Sequence, residues 1–347
     1  MLPDGKSNQP ATLVISLDFE LHWGVRDLKT VAQYRDNLLG VRRVVPALLK
    51  TFSDYGVHAT WATVGFLFSS TRAELLDSLP DCRPEYNDLR LSPYLDLESL
   101  GYGEEDDPYH FGRQLIEQIR SSPGQEIATH TFSHFYCLEP RQSVAAFRSD
   151  LRAAFAAARK LSVDLTSIVF PRNQYDDQHL DACVDMGLKA FRGNQHSWIY
   201  QPRSSQQETV LHRSVRLLDS YWNLSSHNCY SLADVRQGPL INLPASRFLR
   251  PYVRNAPLLQ KLQERRVVGD ITYAAHHGLV YHLWWHPHNF GVRLEQNMGT
   301  LHRILDHFQA MREGYGMRSR SMAELTCEIL NSDAPHYDDH QEHSFVR

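Results

Sequence analysis

The chain has 347 residues, 42% of them hydrophobic, which is enough to bury the core of one large α/β domain and leaves little room for disorder. A formal net charge of -4 and the lack of a basic stripe argue against a nucleic-acid binder. No apolar run has the roughly 18 to 20 residues that span a bilayer, and MLPDGKSNQPA is unlike a signal peptide, so the expectation is a cytoplasmic protein with no membrane span. Its five cysteines, none in a C-x-x-C pair, suit reduced thiols, whereas nineteen histidines direct attention to metal or acid-base chemistry.

In chain order, TLVISLDFE (12 to 20) is a buried strand, followed by an amphipathic helix over 34 to 55 with apolar residues at Leu38, Val41, Val45, Leu48, Leu49 and Phe52. VHATWATVG (57 to 65) and EIATHTFSH (126 to 134) carry two further strands, and the Ala-rich segment 143 to 161 is a helix. Strands follow at 167 to 171, 188 to 193, 239 to 245 and 278 to 286, then a helix over 297 to 314. Strands alternating with helices predict parallel pairing, and about seven such units predict a distorted barrel occupying residues 1 to 330 as a single domain. Two long insertions break the alternation: 80 to 108 is acidic and rich in Tyr and Pro, and 195 to 238 is polar with Trp198, Tyr200, Tyr221 and Trp222 interleaved; loops this long are commonly lids or binding loops. The tail 331 to 347 is predicted to be a disordered, solvated segment despite His336, His340 and His343.

The first strand ends on Asp18 and Glu20, which alternate onto one face; two such carboxylates are costly together unless a cation or a shared proton relieves them. HTFSH offers His130 and His134 at a spacing of four, able to reach one metal if the segment turns helically, with Cys137 a rival ligand. Two imidazoles and a carboxylate form a facial site with positions left for water, which a divalent cation acidifies. FPRNQY sets Arg172 beyond a strand end, where it could orient a carboxylate, and HLWWHPHNFG brings His286 and His288 to another strand end as candidate general acids. The residues alone leave open which carboxylate is base and which is ligand, and which histidine is the acid.

Together these motifs resemble the polysaccharide deacetylases, the family 4 carbohydrate esterases with a NodB-type domain, over residues 12 to 325. The resemblance implies a TIM-like (β/α)7-type barrel. It further implies Asp18 as general base, Glu20, His130 and His134 as metal ligands, Arg172 as the residue orienting the base, and His286 as general acid. Arg192, Trp198, Trp285, His288 and Tyr175 are the expected substrate contacts. The cofactor implied is a divalent metal, zinc first, with cobalt, nickel or manganese as alternatives. The activity implied is removal of an N-acyl group, in the first place acetyl, from an amino sugar of a glycan or sugar-nucleotide precursor, in a protein that could oligomerise. Alternatives are hydrolysis of a non-sugar amide or formamide on the same barrel, or a non-catalytic carbohydrate-binding relative.

Overall fold

A computed structural model describes residues 9–95, 97–195, 197–201, 209–233, 235 and 238–331. Among the described residues nine strands form one sheet: β1 (Thr12–Phe19), β2 (Ala59–Thr63), β3 (Gln125–Thr129), β4 (Ser167–Val169), β5 (Ala190–Arg192), β6 (Ile241–Asn242), β7 (Arg247–Phe248), β8 (Val280–Trp285) and β9 (Arg318–Arg320). Their order is β6-β5-β4-β3-β2-β1-β8-β7, with β9 pairing to β1, and these neighbours run parallel. Such a sheet, with helices as crossovers, is the curled, open form of a (β/α)7 barrel.

β1 is the axis of the molecule. All eight of its residues are buried, because β8 covers one edge while β9 and β2 share the other, along Thr12–Val14 and Ile15–Phe19 respectively. The continuous apolar run that marks it in sequence follows from this double burial. Predicted strands and helices reappear with boundaries shifted by a few residues; the helices at Val31–Tyr55, Val144–Arg159 and Leu294–Tyr315 match those expected. The two-residue β7 and the polar β9 have no apolar run to announce them. The helix Pro257–His277 lacks a clean apolar stripe, since its buried set includes Gln263, Arg266 and Asp270.

The first helix fixes the loop that follows β8. It packs so closely there that a Cβ added to Gly40 would lie 2.1 Å from the Gly291 carbonyl oxygen, and one on Gly291 would lie 2.0 Å from that of Asn37. Only two residues without side chains permit this approach. Asn37 Nδ2 also donates to the His288 carbonyl at 3.0 Å, pinning the same loop. No described helix is long and apolar enough to cross a membrane. The predicted tail lies outside the described residues, apart from Asn331, which ends the helix Met322–Asn331.

Candidate metal centre and active-site cleft

The carboxyl ends of β1, β3, β5 and β8 carry the candidate site residues, at the end of the strands where barrels place their sites. Asp18 is the penultimate residue of β1, and Glu20 follows it directly, ahead of the 3-10 turn Leu21–Gly24. Glu20, His130 and His134 are all buried, and their ligand atoms lie within 4.8 Å of one another. Glu20 Oε2 is 3.1 Å from His134 Nε2 and 3.4 Å from His130 Nε2. Gly24 makes room for the carboxylate: a Cβ there would lie 1.9 Å from the Glu20 Cδ.

The histidines converge by a route different from the helical turn that their spacing suggests. β3 ends at Thr129, and HTFSH is an irregular loop in which Thr131 and His134 both take left-handed backbone, φ 62° and 59°. A β-branched residue there is strained and persists only when its surroundings impose it. Here Thr131 Oγ1 accepts from the Phe135 N–H at 2.7 Å. Asp150, projecting from the helix Val144–Arg159, accepts from the N–H groups of Phe132 at 2.6 Å and Ser133 at 3.1 Å, and from the Ser133 hydroxyl. Burial pushes the Asp150 carboxyl up to about 7, against the pull of these donors. The sequence reading passed over Asp150, although it occupies the buried stripe Ala146, Phe147, Asp150, Leu151, Ala154, where a carboxylate needs a reason to be.

The donor set suits a divalent cation. The Val169 carbonyl lies 2.7 Å from His130 Nδ1, which fixes the proton there and turns the lone pair of Nε2 towards Glu20. Burial lowers His134 to about 4, so its imidazole is neutral near pH 7. Its Nδ1 is buried, with no hydrogen-bond partner among the described residues. Burial pushes Glu20 up, but His286, His130 and His134 bring it well below the ordinary carboxylate range. Cys137 is not in this cluster, and burial raises its thiol well above the usual value.

Asp18 is held by an arginine other than the one expected. Arg192, the last residue of β5, donates from Nη1 to Oδ1 at 2.6 Å and from Nη2 to Oδ2 at 2.8 Å. Burial raises the Asp18 carboxyl, but Arg192 and His130 more than offset it and leave it below the ordinary value. Arg192 is fully buried, spans to Ser16 Oγ and lies over the Trp284 ring, so it is enclosed rather than a substrate contact. Arg172 instead pairs with Asp27, lies over the Tyr136 ring and lines the cleft. Arg172 and Asn173 both have positive φ after β4, and Arg192 Nη2 also donates to Asn173 Oδ1 at 3.3 Å.

His286 Nε2 lies 3.8 Å from Asp18 Oδ2 and 3.6 Å from Glu20 Oε1. Its side chain is 23% exposed, whereas that of His288 is 4% exposed and stacks beneath it, ring centroids 5.0 Å apart. Burial lowers His288 to about 3. A cavity of about 640 Å³ opens over His286 and is lined by Trp284, Phe248, Tyr200 and residues of both insertions, including Asp88 and Arg216. Trp285, an expected substrate contact, is fully buried against Phe52 and Phe290; alternation along β8 puts His282 and Trp284 on the other face. Tyr175 packs on Phe170 and Phe191 and lines a separate apolar pocket of about 390 Å³. Trp198 opens the turn Trp198–Tyr200, but its side chain lies outside what the structure describes.

These features define a parallel α/β barrel with a candidate metal centre at the carboxyl ends of its strands. Residues 26–191 match the family model described as polysaccharide deacetylase. The match begins after Asp18 and Glu20. The fold resembles that of a polysaccharide deacetylase candidate from Mycobacterium smegmatis, at 14% identity and TM-score 0.58, covering 96% of this chain and 93% of the other. A second such candidate, from Pseudomonas aeruginosa PAO1, gives 10% identity and TM-score 0.54 over 94% and 91%. Puue allantoinase gives 9% identity and TM-score 0.55 over 97% and 99%. No curated protein matches the sequence.

Proposed function

We propose that the chain is a metal-dependent N-deacetylase acting on an amino sugar of a glycan or glycan precursor. The observation that carries this reading is the meeting of a two-histidine, one-carboxylate cluster with a separate, arginine-held carboxylate and a partly exposed histidine. Glu20, His130 and His134 would hold the cation, and zinc suits two imidazoles and one carboxylate with a position left open. When bound, the cation acidifies a water molecule and polarises the acyl carbonyl.

Asp18 takes the proton from the attacking water as it adds to the carbonyl carbon. Arg192 keeps Asp18 ionised and fixes both of its oxygens, so the carboxylate meets the water in one orientation. His286 gives a proton to the amide nitrogen as the C–N bond breaks, leaving a carboxylate and an amine. His286 is favoured over His288 for this step because it faces the cavity while His288 is enclosed. A cavity of about 640 Å³ is sized for a sugar with a substituent rather than a small amide or formamide.

The test is acetate release from N-acetylated amino sugars by the zinc-loaded protein. Asp18→Asn and His286→Ala should each lower kcat by about 10²- to 10⁴-fold. Unchanged rates in both variants would remove the assignment.

A further inference from the structure

His282 is a fully buried imidazole that none of the proposed catalytic steps uses. Along β8 it alternates onto the face that carries Trp284 and His286, and along β1 Ser16 shares a face with Asp18. The two strands pair with Val14 opposite His282 and Ser16 opposite Trp284, so ring, hydroxyl and carboxylate succeed one another along the sheet towards the cleft. Ser16 and Arg192, like His282, are entirely shielded from solvent.

The partners determine the hydrogen positions in this column. His282 Nδ1 lies 3.2 Å from the Leu243 carbonyl, which can only accept, so Nδ1 carries the proton. Burial and the charge of Arg192 lower His282 to about 3, so the ring is neutral and Nε2 is a bare lone pair. Ser16 Oγ, 2.8 Å from Nε2, must therefore donate its only proton to the ring. Only lone pairs of Oγ are left to face Arg192, whose Nη1 donates to it at 3.0 Å. Together with both Asp18 oxygens and Asn173 Oδ1, this gives every Nη hydrogen of the guanidinium an acceptor. A Ser16 hydroxyl turned the other way would aim its proton at the cation. The backbone of His282 is anchored separately, its N–H donating to Ser246 Oγ at 2.9 Å and its carbonyl accepting from the Ser246 N–H at 2.8 Å. The ring is thus not needed to place β8, and its bonds act on Ser16.

We propose that Ser16 and His282 are positioning residues: the imidazole turns the Ser16 hydroxyl so that its lone pairs hold the Arg192 guanidinium against both oxygens of Asp18. The effect on turnover rests on the reading of Asp18 as general base, whereas the hold on Arg192 is tested without turnover.

In zinc-loaded protein carrying isotope-labelled arginine, the Nη–H resonances of Arg192 are assigned by their loss in Arg192→Lys. Wild type should show them separately, the mark of a guanidinium that does not rotate, and Ser16→Ala and His282→Asn should average them. A Gln side chain sets an acceptor oxygen near the place of Nε2, whereas Asn reaches only that of Nδ1, so His282→Gln should keep them separate. In acetate release from an N-acetylated amino sugar, kcat should fall at least about tenfold in Ser16→Ala and His282→Asn with KM little changed. His282→Gln and Ser16→Thr should recover most of that loss. Averaged resonances in wild type, separate ones in Ser16→Ala, or recovery by His282→Asn and not by His282→Gln overturn the proposal. Averaged resonances in Ser16→Ala with a wild-type kcat also overturn it and leave the deacetylase reading standing. The expected resonances without hydrolysis of any N-acetyl sugar by wild type uphold the hold on Arg192 and count against the deacetylase.

Discussion

Arg192 grips Asp18 through two parallel hydrogen bonds, 2.6 and 2.8 Å long, with the guanidinium fully buried. Removing one partner of such a pair strands a charge in a low-dielectric interior. Arg192→Ala should therefore cost about 3–5 kcal/mol of stability. It should also raise the pKa of Asp18, so that the acid limb of a kcat/KM profile moves to higher pH. Arg192→Lys, which cannot make the fork, should recover stability more fully than activity. Denaturant titration and a pH–rate profile check both; a wild-type acid limb in Arg192→Ala would show that the arginine does not govern Asp18.

Gly24 is a spatial requirement of Glu20 rather than of the turn. Gly24→Ala places a methyl within 1.9 Å of the Glu20 Cδ, so the carboxylate must move. Zinc affinity, measured by competition with a chromophoric chelator, should fall about 10- to 100-fold, as for other changes that displace a ligand. Wild-type affinity would show that the turn relaxes without disturbing Glu20.

Asp150 supplies a pH signature. Its carboxyl is pushed up to about 7 by burial, whereas an aspartate in an unfolded chain titrates near ~4. Between these values the native state binds more protons than the unfolded state, so this group's contribution to stability is present at low pH and is lost as pH rises through about 7. Asp150→Asn cannot titrate and adds only a pH-independent offset from the changed acceptor. Urea unfolding from pH 4 to 8 should show the variant gaining on wild type as pH rises. Parallel curves would contradict the assignment.

The close approach of the first helix to the His286 loop gives a packing test. Gly40→Ala sets a Cβ 2.1 Å from the Gly291 carbonyl oxygen. Overpacking of this kind should cost about 1–3 kcal/mol, read from the midpoint of chemical denaturation. The shift of the loop should raise KM as well, because His286 leaves its position over the cavity.

Much of this arrangement is legible from local pattern. Asp18, Glu20, His130 and His134 were found because charged or imidazole groups interrupt apolar strands, and the structure brings these four to one strand-end cluster. The arginine holding Asp18 was misplaced because Arg172 and Arg192 both follow apolar strands. Only their contacts in the fold tell them apart: Arg192 pairs with Asp18 and Arg172 with Asp27. Trp285 lies on the face of β8 opposite His282, Trp284 and His286, as the alternation of a strand requires. Asp150 and Gly24 act through contacts distant in sequence or through empty space, and neither leaves a local period.

Acetate release titrated against added zinc tests the central claim most directly, using chelator-stripped protein, an N-acetylated amino-sugar substrate and Glu20→Gln in parallel. The account predicts no release without metal, activity that rises to a plateau at one zinc per chain, and no response in the variant. Release that persists in chelator, or that returns equally in Glu20→Gln, would contradict it.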